Sequence, residues 1–195
     1  MRPRHGMTLL ELTVALAVGG AALAAGGAAV ATMLDRRQAV LDDAEADGRA
    51  LAARRMLVAW VSGVRTDASG TFDGRRGTRR TPGGSVADDS ISFLTTVGGE
   101  VQTVHLLVDR AAEHPTLVAD VGSVGGASLR IALARDVVGF EATYLTAAFG
   151  RREWRRAWNG TLLPTAVVLR LRAADGTVLP APLRLPITIP LANGQ

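Results

Sequence analysis

The sequence predicts an α+β fold, a lollipop in which the second half of one long N-terminal helix packs on a mainly antiparallel β head. Three observations carry this. An apolar stretch runs from Met7 to Leu34 with Glu11 as its only charge. From Asp35 to Arg65 the chain is charged but free of proline, and Ala53, Leu57, Trp60, Val61 and Val64 recur at three- and four-residue spacing, giving one helical stripe. From Ile91 the pattern turns to period two: Val167, Leu169 and Leu171 alternate with Val168, Arg170 and Arg172.

The elements follow in order. Residues 1–6, Met-Arg-Pro-Arg-His-Gly, form a short basic leader. Residues 7–34 are a transmembrane helix: about 28 residues at ~1.5 Å each reach roughly 42 Å, more than the ~30 Å of bilayer hydrocarbon. Arg2 and Arg4 hold its N-terminus in the cytoplasm. Gly19-Gly20 and Gly26-Gly27 weaken this helix, and suit either close packing between membrane helices or local melting. Residues 35–66 continue the helix as an amphipathic segment, from about Thr8 to about Val64 overall, with Gly48 a weak spot. The head occupies residues 67–195. It begins with a Gly/Arg-rich loop over 67–90 in which Arg75, Arg76, Arg79 and Arg80 cluster, expected to be solvated and flexible. Strands are expected at Ile91–Val97, Val101–Asp109, Leu117–Val121, Leu129–Leu133, Val137–Leu145 and around Val167–Arg172. A last one over Leu183–Pro190 carries Pro186 and Pro190 on its outward phase and reads as an edge strand.

Composition excludes several chemistries. The chain has no Cys, which removes Cys-based zinc sites, haem attachment and thiol catalysis. All 22 basic residues are Arg, which removes Walker A and Schiff-base chemistry. The net charge of +4 falls to +2 once Arg2 and Arg4 leave with the leader, too little to imply a nucleic-acid partner.

Three readings of the N-terminus compete. A plain membrane anchor has no use for Glu11, since an ionised carboxylate inside a bilayer costs on the order of 3 kcal/mol. A secretory signal cut near Ala22-Leu23-Ala24 would release a soluble β-domain, but Glu11 then sits in a region that must be apolar. The third reading takes Gly6, a hydrophobic residue, Thr-Leu-Leu-Glu11 and a long apolar helix together. This resembles the prepilin signal of type IV pilins and type II secretion pseudopilins. The resemblance implies that a membrane aspartyl peptidase cuts between Gly6 and Met7 and N-methylates Met7. It also implies that Glu11, the fifth mature residue, is the buried carboxylate of filament assembly. Met7 stands where that family usually has phenylalanine.

Within that class the C-terminal half is most similar to the J-type minor pseudopilin. The similarity rests on Ile91-Ser-Phe-Leu-Thr-Thr, Val101-Gln-Thr-Val-His-Leu-Leu-Val-Asp, Val138-Gly-Phe140-Glu, Trp154, Trp158, Leu163-Pro164-Thr-Ala166-Val167 and Asp175-Gly176. It implies a structural, non-enzymatic subunit in the inner membrane with a periplasmic head. I- and K-type subunits and the major pseudopilin are its partners, and the pseudopilus tip its place. A minor pilin of a type IV pilus or DNA-uptake system is the alternative.

Other candidate sites read as structural. Trp154 and Trp158 sit among Arg151, Arg152, Arg155 and Arg156, a pattern that can bind single-stranded nucleic acid. The expectation is instead that both indoles fill or cover the core, with arginines at the rim and no nucleic acid bound. His105, Asp109 and His114 show no metalloprotease or hydrolase spacing. Asp88 and Asp89 suggest calcium without an EF-hand pattern. No catalytic, cofactor or metal residues are predicted.

Overall fold

The computed structural model describes residues 8–65, 72–97, 99–111, 113–123, 126–148, 151–159, 162–174 and 177–191. The chain divides into two compact units, residues 1–45 and 46–195. Helix α1 spans Leu9–Ser62. Throughout its part in the first unit, every side chain is exposed.

In the second unit the predicted stripe is buried: Ala53, Leu57, Trp60, Val61 and Val64 all lie in the core, and Ala50 extends it by one turn. After Ser62 the chain leaves the helix and joins a sheet directly. The Arg65 N–H donates to Leu94 O at 3.1 Å and the Thr96 N–H to Gly63 O at 3.0 Å. A Cβ on Gly63 would lie 2.8 Å from Thr95 Oγ1 and 2.9 Å from Thr96 O, so this close approach requires glycine.

The strands are β1 (Asp73–Arg75), β2 (Thr78–Thr81), β3 (Gly84–Ala87), β4 (Ser90–Val97), β5 (Glu100–Asp109), β6 (Thr116–Ser123), β7 (Ser128–Arg135), β8 (Val137–Ala148), β9 (Arg151–Arg155), β10 (Ala166–Ala173) and β11 (Ile187–Pro190). They form a five-stranded sheet ordered β1-β4-β5-β6-β7, a four-stranded sheet ordered β11-β10-β8-β9 and the β2-β3 hairpin. Every ladder is antiparallel. The fold is α+β, as predicted.

Period two sets the inner faces. Ile91 and Phe93 of β4 stand opposite Leu106 and Val104 of β5, and all four are buried. Ala142 and Tyr144 of β8 stand opposite Leu169 and Val167 of β10, again all buried. Phe72 stacks on Phe93 at 5.6 Å between ring centroids and meets the Tyr144 ring edge-on at 5.8 Å.

Two expectations are corrected. The 67–90 stretch, read as one loop, carries β1, β2 and β3. Strand β2, Thr-Arg-Arg-Thr, has no apolar residue to reveal a period; the turn Thr81-Pro82-Gly83-Gly84, with Gly84 at φ +120°, was the available signal. The 183–190 stretch is not one strand. Pro182 lies in the first turn of a short helix, α2 (Ala181–Arg184), and the strand starts only at Ile187. Leu183 is buried in α2, whereas Leu185 is exposed. The edge position of β11 agrees with the outward proline at 190.

Candidate functional site

At the helix start, Thr8 Oγ1 accepts the Glu11 N–H at 3.3 Å, and Thr8 O accepts the Leu12 N–H at 3.2 Å. Thr8 is therefore the N-cap and Glu11 the third helical residue, the spacing of a capping box. Glu11 lies in the first turn, where the helix dipole favours a carboxylate. The role of Thr8 was legible as Thr-x-x-Glu but was missed. Gly6 and Met7 lie outside the described residues. From Leu9 to Leu34 the helix would rise about 39 Å, and it is long and apolar enough to cross a membrane.

The remaining candidates are placed as follows. The arginine cluster is divided. Arg75 donates to Asp73 at 2.7 Å from β1, while Arg79 and Arg80 lie on β2. Arg110 holds Asp88 at 2.6 Å. Asp89 is buried, and its two oxygens accept the N–H groups of Gly77 at 3.0 Å and Ala142 at 2.9 Å. Burial pushes the Asp89 carboxyl up, against these two hydrogen bonds. Both acids thus face donors, the opposite of what a calcium ion needs.

His105 is exposed on β5. His114 Nδ1 lies 2.9 Å from Asp136. Asp109 accepts from Arg130 at 2.7 Å, and Asp120 takes the same guanidinium in a bidentate pair at 2.7 and 2.8 Å. Arg130 holds the Asp120 carboxyl below the usual range. Among the described residues no group of three His, Asp or Glu converges on a metal position. A cleft of about 560 Å³ beside α1 is lined chiefly by alanine, leucine and valine side chains.

The two indoles differ. Trp158 is buried, donates from Nε1 to Leu162 O at 3.0 Å and exchanges backbone hydrogen bonds with Gly74 at 2.6 and 2.8 Å. Trp154 is 52% exposed on β9. The expectation of a core role thus holds for Trp158 and fails for Trp154, because Trp154 lies on an edge strand in register with Leu145, on the face turned away from Tyr144 and the core.

Residues 1–27 match the family described as the prokaryotic N-terminal methylation motif. No curated protein and no solved structure matches the chain. The methylation motif, the apolar helix behind it and the antiparallel head together support a type IV pilin-like protein, in the pilin or pseudopilin class, and the motif implies processing by a prepilin peptidase.

Proposed function

We propose that the chain is a structural, non-enzymatic minor pseudopilin, J-type in character, acting at the tip of a type II secretion pseudopilus with I- and K-type subunits. The single observation that carries the filament reading is the helix start, where a Thr8 cap places Glu11 in the first turn of a helix whose apolar side chains are exposed. Cleavage between Gly6 and Met7 creates a cationic amine there, and methylation keeps its charge. In a filament the Met7 amine of one subunit pairs with Glu11 of its neighbour, and each neutralises a charge that is costly alone. Before assembly the N-terminus is cytoplasmic and the head periplasmic. The J-type assignment draws support from Trp158 to Val167. Trp158 is bonded to Leu162, Pro164 is buried, and the segment leads directly into β10.

Mass spectrometry of the mature chain tests the processing: a methylated Met7 at the N-terminus is expected. A chain starting near Ala25 would establish the secretory signal instead. Glu11→Gln keeps the shape and loses the charge, so cleavage should continue while filament incorporation falls. A Glu11→Gln subunit that is cut and assembles as wild type removes the pairing from the reading. Co-purification with I- and K-type subunits checks the assignment within the class.

A further inference from the structure

Strand β9 is the terminal strand of its sheet, and among the described residues it pairs with β8 alone, in unbroken register from Tyr144↔Arg155 to Ala148↔Arg151. All five of its side chains are exposed. The other edge of that sheet, β11, ends in a proline. Strand β9 has neither proline nor bulge, so its outer edge offers backbone donors and acceptors in a regular row. Its charge is one-sided: Arg151, Arg152, Arg155 and the following Arg156 against Glu153, which pairs with Arg155 at 3.2 Å.

Arginines on an edge normally protect it from pairing with a second copy. Here they would set four cations against four, so a second β9 is a poor partner. Trp154 does not fit protection alone. It borders a cavity of about 290 Å³ lined also by Glu141, Thr143, Val168, Arg155, Arg156 and Arg170. Val168 lies on the outward face yet is only 7% exposed, so this slot has an apolar floor beside a half-exposed indole.

We propose that β9 is a docking edge for an acidic, extended segment of a protein partner, which adds to the sheet as a further strand. Residues 152 and 154 share the outward face, two positions apart. The matching segment therefore carries an acid against Arg152 and, two residues along on the same face, an apolar or aromatic side chain for the slot beside Trp154. On the other face an acid meets Arg151 or Arg155. Backbone pairing supplies the affinity and the alternate side chains the selectivity. The proposal is independent of the processing at Gly6.

The test uses the full-length protein in a nonionic detergent. The probe is a fluorescently labelled peptide of about six residues, the length of an ordinary strand, alternating Glu with Val and carrying one Phe. Anisotropy should show saturable binding that weakens with salt. Hydrogen exchange should show new protection at the amides of residues 151–155. Arg152→Glu with Arg155→Glu should weaken binding roughly tenfold or more, as two attractions become repulsions, and should admit a Lys/Val/Phe peptide instead. Trp154→Ala should weaken the Phe peptide but not one with Ala at that position. These side chains are exposed, so the variants should keep the wild-type melting curve. Three results would overturn the proposal: no saturable binding, binding without protection of the β9 amides, or tighter binding of a single-stranded oligonucleotide of equal charge that the same variants abolish.

Discussion

Thr95 joins the long helix to the head, and its removal tests that junction. Its hydroxyl is fully buried and donates to Trp60 O at 2.7 Å. The carbonyl needs that donor. Trp60 lies in the last turn of α1, where carbonyls lose their intrahelical partners. The amide four residues on, Val64 N–H, donates instead to Val61 O at 3.3 Å. Thr95→Val keeps the branched shape and replaces the hydroxyl by a methyl. No cavity forms, so the change isolates one hydrogen bond. A buried carbonyl left unpaired costs about 1–3 kcal/mol. The assay is urea unfolding of the chain truncated to residues 35–195, followed by tryptophan fluorescence. The loss should appear as a lower midpoint at unchanged slope. Amide exchange should quicken first at Arg65 and Thr96, whose hydrogen bonds flank the site. A stability change below about 0.5 kcal/mol, within the scatter of neutral surface substitutions, would refute the claim that Thr95 holds the helix end.

Three further outcomes follow from the head. The truncated chain 35–195 should itself be soluble, monomeric or weakly associating, and rich in β-structure by circular dichroism, since the core lies within residues 50–191. Asp89 has a folded pKa raised above 3.8, chiefly by burial. The folded state therefore binds its proton more tightly than the unfolded state, and this contribution is full below pH 3.8 and lost as pH rises through the folded value. Asp89→Asn should remove that slope from a pH series of unfolding midpoints; an unchanged slope would assign it elsewhere. At Gly74 an added Cβ would overlap the Tyr144 phenol, and the backbone is pinned by Trp158 on both its N–H and its C=O. Gly74→Ala should cost about 1–3 kcal/mol in thermal or urea unfolding, whereas Tyr144→Phe should cost nothing, because that buried hydroxyl has no hydrogen-bond partner among the described residues.

Legibility tracked burial. The stripe from Ala53 to Val64 and the strands β4 to β8 and β10 were readable because one face of each meets the core, and a buried face imposes its period on the sequence. Strands β2 and β9 were invisible for the converse reason. Thr78-Arg-Arg-Thr and Arg151-Arg-Glu-Trp-Arg have little or no inward side to mark. Leu183 to Ile189 misled because a buried leucine in α2 and two buried isoleucines in β11 happen to keep an odd-numbered phase across Pro186. Trp154 misled because large indoles usually reach a core, and nothing in Trp-Arg-Arg-Ala-Trp says which of the two will. Glu11 stands out in the sequence by its cost, since a lone carboxylate in an apolar stretch demands a partner, and the structure places it in the first turn of α1. Its cap, Thr8, needed only the three-residue spacing.

Four glycines interrupt the apolar half of α1. A Cβ on Gly19, Gly20, Gly26 or Gly27 would meet nothing within 4 Å. No contact among the described residues therefore requires them, and each costs about 1 kcal/mol of helix stability relative to alanine. A role, if they have one, lies in contacts between molecules or in the weakness itself. The two separate by size and propensity. Valine is larger than alanine but a poorer helix former. If the glycines let neighbouring helices approach in a filament, Gly→Val should impair assembly more than Gly→Ala. If the helix must melt locally on leaving the bilayer, Gly→Ala should impair it more, because alanine stiffens the helix most. Recovery of each variant in sedimented filaments ranks them. Wild-type recovery for both substitutions at all four positions would show that the glycines serve neither purpose, and would leave the exposed apolar surface from Leu9 to Leu34, together with Glu11, as what this helix brings to its surroundings.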